Sequence, residues 1–137
     1  FLLLCLIFLF FFLVDVLLQM HQIRKFTAEE ISEYRRPFAF AGEGRRPTLS
    51  WAREQPWDGE PRDVIEIVDN YAKWMASSPL PKLLIIGEPG ALLSGERLEL
   101  CRSWPNQREI TVAGLHNLQE DSPNEIGKAI SYWYASL

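Results

Sequence analysis

The sequence predicts an α/β protein in which two parallel strands alternate with helices. Residues 83–86 and 109–113 are the predicted strands, because short apolar runs of this kind are typical of parallel sheets buried on both faces. Helical periodicity before, between and after these runs supplies the other elements. Short connections and the right-handed crossover rule then favour one parallel β-α-β unit.

The first predicted helix covers about residues 28–34. Thr27 and Glu30 have the spacing of a capping box, and Pro37 requires the helix to stop before it. Residues 37–62 contain several prolines and glycines, which predicts a long irregular segment. A segment of that length in a compact domain usually covers a functional site or is disordered, and Trp51 and Trp57 favour the first, because disordered linkers rarely contain tryptophan.

The second predicted helix begins at Pro61, which suits a first helical position, and ends near residues 78–79. Apolar residues recur in it at helical spacing, which predicts a stripe of core contacts. The stripe comprises Val64, Ile65, Ile67, Val68, Tyr71, Ala72 and Met75.

Residues 87–90 are predicted to end the first strand, and residues 97–104 to form the helix that follows it. After the second strand, Ser122, Pro123 and Glu125 combine an N-cap, a proline at the first helical position and a capping-box glutamate. The predicted buried stripe of this last helix is Ile126, Ala129, Ile130 and Trp133.

Two parallel strands cannot hide both of their faces from water. Parallel sheets occur almost only as larger sheets that are covered by helices on both sides. We therefore expect the chain to be the carboxyl-terminal part of a larger α/β domain, with exposed strand edges if it stands alone.

Composition excludes several classes of partner. The net charge is −4, and arginines and glutamates are interspersed over residues 24–46, so there is no basic stripe for a phosphate backbone and no nucleic-acid partner is expected. The two cysteines form neither a disulfide framework nor a CxxC pair. The two histidines, His21 and His116, lie far apart without neighbouring thiols, and no metal site is predicted.

The amino terminus is strongly apolar. Residues 1–14 are apolar without a break, Asp15 interrupts them, and residues 16–18 continue the run. A membrane-spanning helix needs about 20 such residues, and a signal peptide has a basic residue before its core and a cleavage site after it. Three interpretations stay open: a membrane or signal segment, a foreign stretch, or a buried core element. The first implies membrane contact through residues 1–18 and membrane association, and the second a cytoplasmic location.

The most informative stretch surrounds His116. Residues 110–112 are a β-branched run, Gly114 ends it, and the histidine follows in the turn before a helix start. Ligands bind at the carboxyl edge of open α/β sheets, and histidine exchanges protons near neutral pH. We therefore predict that His116 lies in an active site, although no nucleophile for it is visible in the sequence.

Five motifs in a fixed order point to a known family. They are RRPF at residues 35–38, RRPTLSW at 45–51, EPGAL at 88–92, SWPN at 103–106 and HNLQEDSP at 116–123. From about residue 23 to residue 137 this series resembles the carboxyl half of the haloalkane dehalogenases and of their close relative, the coelenterazine luciferase of sea pansies. The resemblance implies the carboxyl-terminal portion of an α/β-hydrolase fold with part of its helical cap.

The resemblance also implies a mechanism. An Asp carboxylate displaces the halide and forms an alkyl-enzyme ester, and a histidine then takes a proton from the water that hydrolyses the ester. His116 matches this histidine, the substrate is a small apolar halogenated molecule, and no cofactor is expected. The nucleophile, the halide-binding residues and the acid that orients the histidine belong to an amino-terminal half, which this chain would need as a partner.

Substrate-binding positions carry over from the family one by one. Ala91 and Leu92 match the wall of the access tunnel near the base. Trp51, Ala52 and Gln55 match cap positions over the cavity.

Three of the matched positions depart from the family. Ala52 replaces a usual proline, Gln55 a usual apolar residue, and Asn117 the usual phenylalanine after the catalytic histidine. Burying an amide costs roughly 1–3 kcal/mol unless it is paired. Gln55 and Asn117, both counted as substrate-binding positions, therefore bear on the class of substrate.

Other polar residues have plainer interpretations. Glu88 is a turn residue, with the orienting acid as its alternative role. Glu120 and Asp121 serve a helix N-terminus through its dipole, with a catalytic pair as the alternative. His21 is solvent-facing or part of the apolar segment.

The sequence thus predicts a haloalkane dehalogenase-like hydrolase with His116 as general base, inactive without its nucleophile. The alternatives are a coelenterazine luciferase-like monooxygenase and a non-catalytic truncated product. We expect an apolar segment at residues 1–22, a remnant of the cap domain at 23–60, and the carboxyl-terminal part of the hydrolase core at 61–137.

Overall fold

The computed structural model describes residues 16, 18–40, 42–56 and 58–137. They form two compact units: Lys25–Tyr71 together with the described residues up to Met20, and His21–Arg24 together with Ala72–Leu137. The apolar run 1–14 lies outside the described residues, and so do its membrane, signal and core interpretations. In the part of the chain that is described, no helix is long and apolar enough to cross a bilayer.

Helix α1, Ala28–Arg35, confirms the predicted capping box. Thr27 Oγ1 accepts a hydrogen bond from Glu30 N at 3.2 Å, and Glu30 Oε2 accepts one from Thr27 N at 2.8 Å. The α-helix stops before Pro37, as predicted, and a 3-10 turn, Arg36–Phe38, follows.

The segment after α1 is more regular than predicted. It holds a second 3-10 turn, Glu43–Arg45, and helix α2, Arg46–Arg53. Pro47 lies in the first turn of α2, where a missing N–H costs no hydrogen bond. The expectation of an irregular segment was wrong here because this proline begins a helix and does not prevent one.

Helix α3, Arg62–Ser77, begins and ends within one or two residues of the predicted positions. It begins after Pro61, whose carbonyl accepts from Ile65 N at 3.2 Å, so the proline precedes the helix and is not its first residue. The predicted stripe of core contacts was wrong for several of its members, which are exposed. These are Ile67, Val68 and Tyr71.

Strands β1, Lys82–Pro89, and β2, Gln107–Gly114, pair in parallel along their whole length. Helix α4, Gly95–Arg102, connects them, which confirms the β-α-β unit. It begins and ends two residues earlier than predicted. Residues 87–89 were expected to end β1, but they continue the pairing until Pro89 lies opposite Gly114.

The two strands are not buried on both faces in this chain, as expected for two parallel strands without the rest of a larger sheet. Among the described hydrophobic residues, only Ile31, Ile86 and Val112 are buried. The apolar pattern of the strands matches the burial of a strand inside a larger sheet. In the described part of this chain, many large apolar side chains stay exposed, among them Tyr71, Trp74 and Ile130.

Lys82 is a buried charge that no sequence pattern indicated. Its Nζ donates to the carbonyl oxygens of Ser78 at 2.7 Å, Leu80 at 3.1 Å and Pro105 at 2.9 Å. These acceptors match the three N–H donors of an ammonium group. The lysine therefore ties the connection before β1 to the connection before β2.

Helices α5, Leu118–Asp121, and α6, Pro123–Tyr134, follow β2. Pro123 is the first residue of α6, as predicted. The predicted capping box was wrong, because Ser122 makes no side-chain cap and its Oγ donates to Ala113 O at 2.6 Å instead. The stripe predicted to be buried on α6 is only partly covered: Ile126, Ala129 and Trp133 are half-buried, and Ile130 is exposed.

Gly87 lets the sheet pack closely against α5. A Cβ on this residue would lie 2.5 Å from Leu118 Cδ2 and 2.9 Å from Gly114 O. We expect Gly87→Ala to lower the free energy of unfolding by about 1–3 kcal/mol, because the overpacked groups must shift. Urea unfolding followed by circular dichroism measures this change.

The matched control is Gly127→Ala, inside α6, where a Cβ meets nothing within 4 Å. It should raise stability by about 0.5–1 kcal/mol, since glycine is a poor residue inside a helix. Equal unfolding midpoints for the two variants would contradict the close packing at Gly87.

Arg102 joins α4 to β2 through a bidentate ion pair. Its Nε and Nη2 donate to the two carboxylate oxygens of Glu109 at 2.8 and 2.7 Å. These hydrogen bonds hold the pKa of Glu109 below its usual value of 4.5. A carboxyl whose pKa is lowered on folding stabilises the fold above its unfolded pKa, and this contribution is lost as the pH falls through the folded pKa.

We therefore expect Glu109→Gln to lower the urea midpoint at pH 7, and the difference from the parent to shrink as the pH falls below 4.5. The effect is small and weakens with salt, because the pair faces water. Glu125→Gln, another exposed carboxylate, controls for the loss of one negative charge. A difference that stays constant down to about pH 3 would contradict this account.

Candidate active site

The chain leaves the sheet at the carboxyl edge in two turns. Residues 115–117 connect β2 to α5, and His116 is exposed in this turn. Ala91 and Leu92 lie in the bend that follows β1. Because Pro89 pairs with Gly114, both turns begin at the same edge of the sheet. This is the edge at which open α/β sheets bind ligands.

The backbone of His116 is held by His21. The carbonyl oxygen of His21 accepts from His116 N at 3.0 Å and from Asn117 N at 2.9 Å. The two imidazole rings meet edge to face, with centroids 5.4 Å apart and planes at 66°. The expectation for His21 was wrong, because it is half-buried against the turn that carries the predicted base.

Asp121 accepts three backbone hydrogen bonds around this turn. Its Oδ1 accepts from Ile23 N at 2.7 Å and from Arg24 N at 3.0 Å. Its Oδ2 accepts from Leu115 N at 3.1 Å. These bonds go to a loop and to a distant segment, and none of them goes to an N–H group of α6.

Glu120 binds the same distant segment. Arg24 Nη2 donates to Glu120 Oε2 at 2.6 Å, and Arg24 Nε donates to the carbonyl oxygen of Glu120 at 2.6 Å. Both side chains are partly shielded from water, with exposed fractions of 35% and 19%. Glu120 therefore forms an ion pair with Arg24, while the carboxylate of Asp121 accepts backbone hydrogen bonds.

Asn117 has an amide partner. Its Nδ2 donates to Gln22 Oε1 at 3.2 Å, and Gln22 is only 5% exposed. Gln22 Nε2 is buried without a hydrogen-bond partner among the described residues. Within the segment His21–Arg24, the first two residues contact the turn of His116 itself, and Ile23 and Arg24 contact Asp121 in the helix that follows it.

The other predicted site residues lie in two places. Ala91 and Leu92 line a cavity of about 340 Å³ together with Ser94, Glu96 and Arg97. Leu92 is exposed.

Trp51, Ala52 and Gln55 belong to the unit that contains α2. Trp51 is 59% exposed, and Ala52 and Gln55 are half-buried. Gln55 Nε2 donates to Trp51 O at 3.2 Å, one turn earlier in the chain.

Glu88 does not orient His116 in this structure. It lies in β1 opposite Ala113 and is exposed. In the described part of the chain no hydrogen bond joins its carboxylate to the imidazole, and its assignment to a turn was wrong because the strand continues through it.

Comparisons with known proteins bear on this site. No family model matches the sequence. The haloalkane dehalogenase of Sphingobium indicum is 56% identical over 115 residues, which make up 84% of this chain and 39% of the relative. The coelenterazine h 2-monooxygenase of Renilla reniformis is 44% identical over 122 residues, or 87% of this chain and 39% of the relative.

Structural similarity agrees with these matches. The crystal structure of haloalkane dehalogenase DbeA from Bradyrhizobium elkani superposes with a TM-score of 0.84 at 38% identity, covering 91% of this chain and 43% of DbeA. The fold is therefore that of the carboxyl-terminal portion of an α/β-hydrolase. Within this class, the chain is homologous to the carboxyl-terminal part of haloalkane dehalogenases and of their luciferase relative. It spans about two fifths of the length of these curated relatives.

The hydroxyl of Ser122 fixes the end of β2 beside the turn of His116. Ser122 is 4% exposed, and its bond to Ala113 O is 2.6 Å long. We expect Ser122→Ala to lower the free energy of unfolding by about 0.5–1.5 kcal/mol, because the carbonyl of Ala113 loses the hydrogen bond that the buried hydroxyl donates to it. Ser131→Ala, at an exposed position of α6, is the matched control for urea unfolding. Equal losses in both variants would contradict a special role of the Ser122 hydroxyl.

Proposed function

We propose that this chain supplies the carboxyl-terminal part of a haloalkane dehalogenase-like hydrolase, with His116 as its general base. One observation carries the proposal. His116 lies in the turn after β2, at the ligand-binding edge of the sheet, in a chain that is 56% identical to a haloalkane dehalogenase.

The proposed reaction has two steps. An Asp carboxylate from the amino-terminal part of the domain attacks the halogen-bearing carbon, a C–O bond forms, and the halide leaves with the electron pair of the broken bond. Water then attacks the ester carbonyl while His116 takes its proton, and the alcohol and the free carboxylate are released. Covalent catalysis of this kind replaces one difficult displacement by two easier steps.

The proposed substrate is a small apolar halogenated molecule. Trp51 and Leu92, each a proposed substrate-binding residue of its own unit, have exposed apolar side chains. The amides that depart from the family pattern have partners, since Asn117 donates to Gln22 and Gln55 donates to the backbone of Trp51. Paired amides are far less costly to bury than free ones, so these departures are compatible with an apolar substrate.

A luciferase-like oxygenation of coelenterazine is the second candidate. The Renilla enzyme, named a coelenterazine h 2-monooxygenase, matches 87% of this chain, a share similar to that of the dehalogenase. The same protein preparation can distinguish the two reactions.

The test uses a fusion, here called the completed enzyme. The amino-terminal part of the Sphingobium indicum dehalogenase precedes residues 16–137 of this chain, so that His21–Arg24 stay in place. We expect the completed enzyme to release halide from a primary bromoalkane with continuous turnover. A folded completed enzyme that emits light with coelenterazine but releases no halide would favour the second candidate, and one that does neither contradicts both.

In the completed enzyme, His116→Gln should release about one halide per enzyme molecule and then turn over about 10²–10⁴-fold more slowly, because the first step needs no base and the second does. Mass spectrometry should detect the trapped alkyl ester. Gln119→Ala, an exposed neighbour in α5, should turn over like the parent. Continuous turnover by His116→Gln would remove His116 from the role of base.

A further inference from the structure

We propose that Asp121 is the positioning residue of His116. The inference rests on the proposed role of His116 as general base. Asp121 touches neither substrate nor imidazole in this account, and it acts through the backbone on both sides of the turn.

The contacts of Asp121 form a bridge. Oδ2 holds Leu115 N, immediately before His116, and Oδ1 holds the backbone N–H groups of Ile23 and Arg24. Two residues before Ile23 lies His21, whose carbonyl oxygen accepts from His116 N. One carboxylate therefore fixes both the turn that carries the base and the segment that holds the base.

A carboxylate is the group that fits this position. It offers acceptor lone pairs on two oxygens and no donor, and the three neighbours are all N–H donors. Bonds to an ionised acceptor are roughly twice as strong as neutral ones. An amide would keep one acceptor oxygen but would turn an NH₂ group towards one set of donors.

The local backbone also makes room for Asp121. A Cβ on Gly114 would lie 3.3 Å from Asp121 Oδ2 and 2.6 Å from Leu118 Cδ2. Glycine at the end of β2 therefore lets the carboxylate approach the residue that precedes the base.

The consequence for the reaction is specific to one step. His116 acts only when the ester is hydrolysed, so a displaced base slows hydrolysis and leaves formation of the ester unchanged. A displacement of about 1 Å can reduce a catalysed step about 100-fold.

The first experiment uses the full 137-residue chain. Hydrogen exchange of backbone amides is compared between the parent, Asp121→Asn and the control Asp69→Asn, an exposed carboxylate in α3. We expect Asp121→Asn to accelerate exchange about tenfold or more at Leu115, and also at His116 and Asn117, which do not bond Asp121 themselves. Unchanged exchange at His116 and Asn117 would contradict the proposal that Asp121 holds both the turn and the segment His21–Arg24.

The second experiment uses the completed enzyme. Asp121→Asn should keep a halide burst of about one per enzyme at the parent's rate and should lower steady-state turnover about 10–100-fold, with little change in substrate binding. Asp121→Glu, which keeps both oxygens, should recover part of the loss, and it is also the variant to measure if Asp121→Asn does not fold.

The outcomes separate the two proposals. If the completed enzyme without substitutions releases no halide, the proposed function is contradicted. The exchange experiment then decides alone whether Asp121 links the turn of His116 to the segment His21–Arg24. An active parent with full turnover in Asp121→Asn overturns the positioning role alone. Equal loss of the burst and of the turnover in both Asp121 variants would assign Asp121 a merely structural role and would also overturn it.

Discussion

The geometry around His116 depends on one carboxylate that joins two distant parts of the chain. Asp121 accepts hydrogen bonds from residues 97 and 98 positions earlier and from Leu115 on its own side of the turn. The entropy cost of closing so long a loop rises only slowly with length, so a few charge-assisted bonds are sufficient to offset much of it. The same contact between the two segments brings the carbonyl oxygen of His21 to His116 N and places Arg24 beside Glu120.

The docked segment also explains how an amide is tolerated beside the proposed base. Asn117 stands where the resemblance leads one to expect phenylalanine, and Gln22 supplies the oxygen that accepts its Nδ2 hydrogen bond. Two polar residues far apart in sequence therefore compensate each other in space. The compensation is partial, because Gln22 Nε2 lies buried without a partner in the described residues, and such a group carries a desolvation cost.

Local sequence patterns predicted the helices and strands, but they did not predict contacts between residues that are far apart in sequence. The capping box at Thr27, the two strand segments and the turn of His116 depend on neighbours within a few residues, and the structure confirms them. The docking of His21 and Asp121 joins residues about a hundred positions apart, for which a single sequence contains no periodic signal. The predicted roles of His116, Ala91 and Leu92 stay predictions, because contacts alone do not assign chemistry.

Many side chains that were predicted to form a core are only partly buried or are exposed. The physical reason concerns the whole domain. Side chains predicted to form a core, such as Ile85 and Trp133, line an open apolar hollow of about 460 Å³ beside β1. Covering each large apolar side chain is worth about 1.5–3 kcal/mol, so a larger sheet that covered several of them would add several kcal/mol to the stability of this fold. The turn of His116 is held differently, by polar bonds among residues 21–24 and 115–121 that need no apolar cover. The proposed base can therefore keep its backbone geometry while the faces of the sheet remain open, which separates what positions the chemistry from what stabilises the fold.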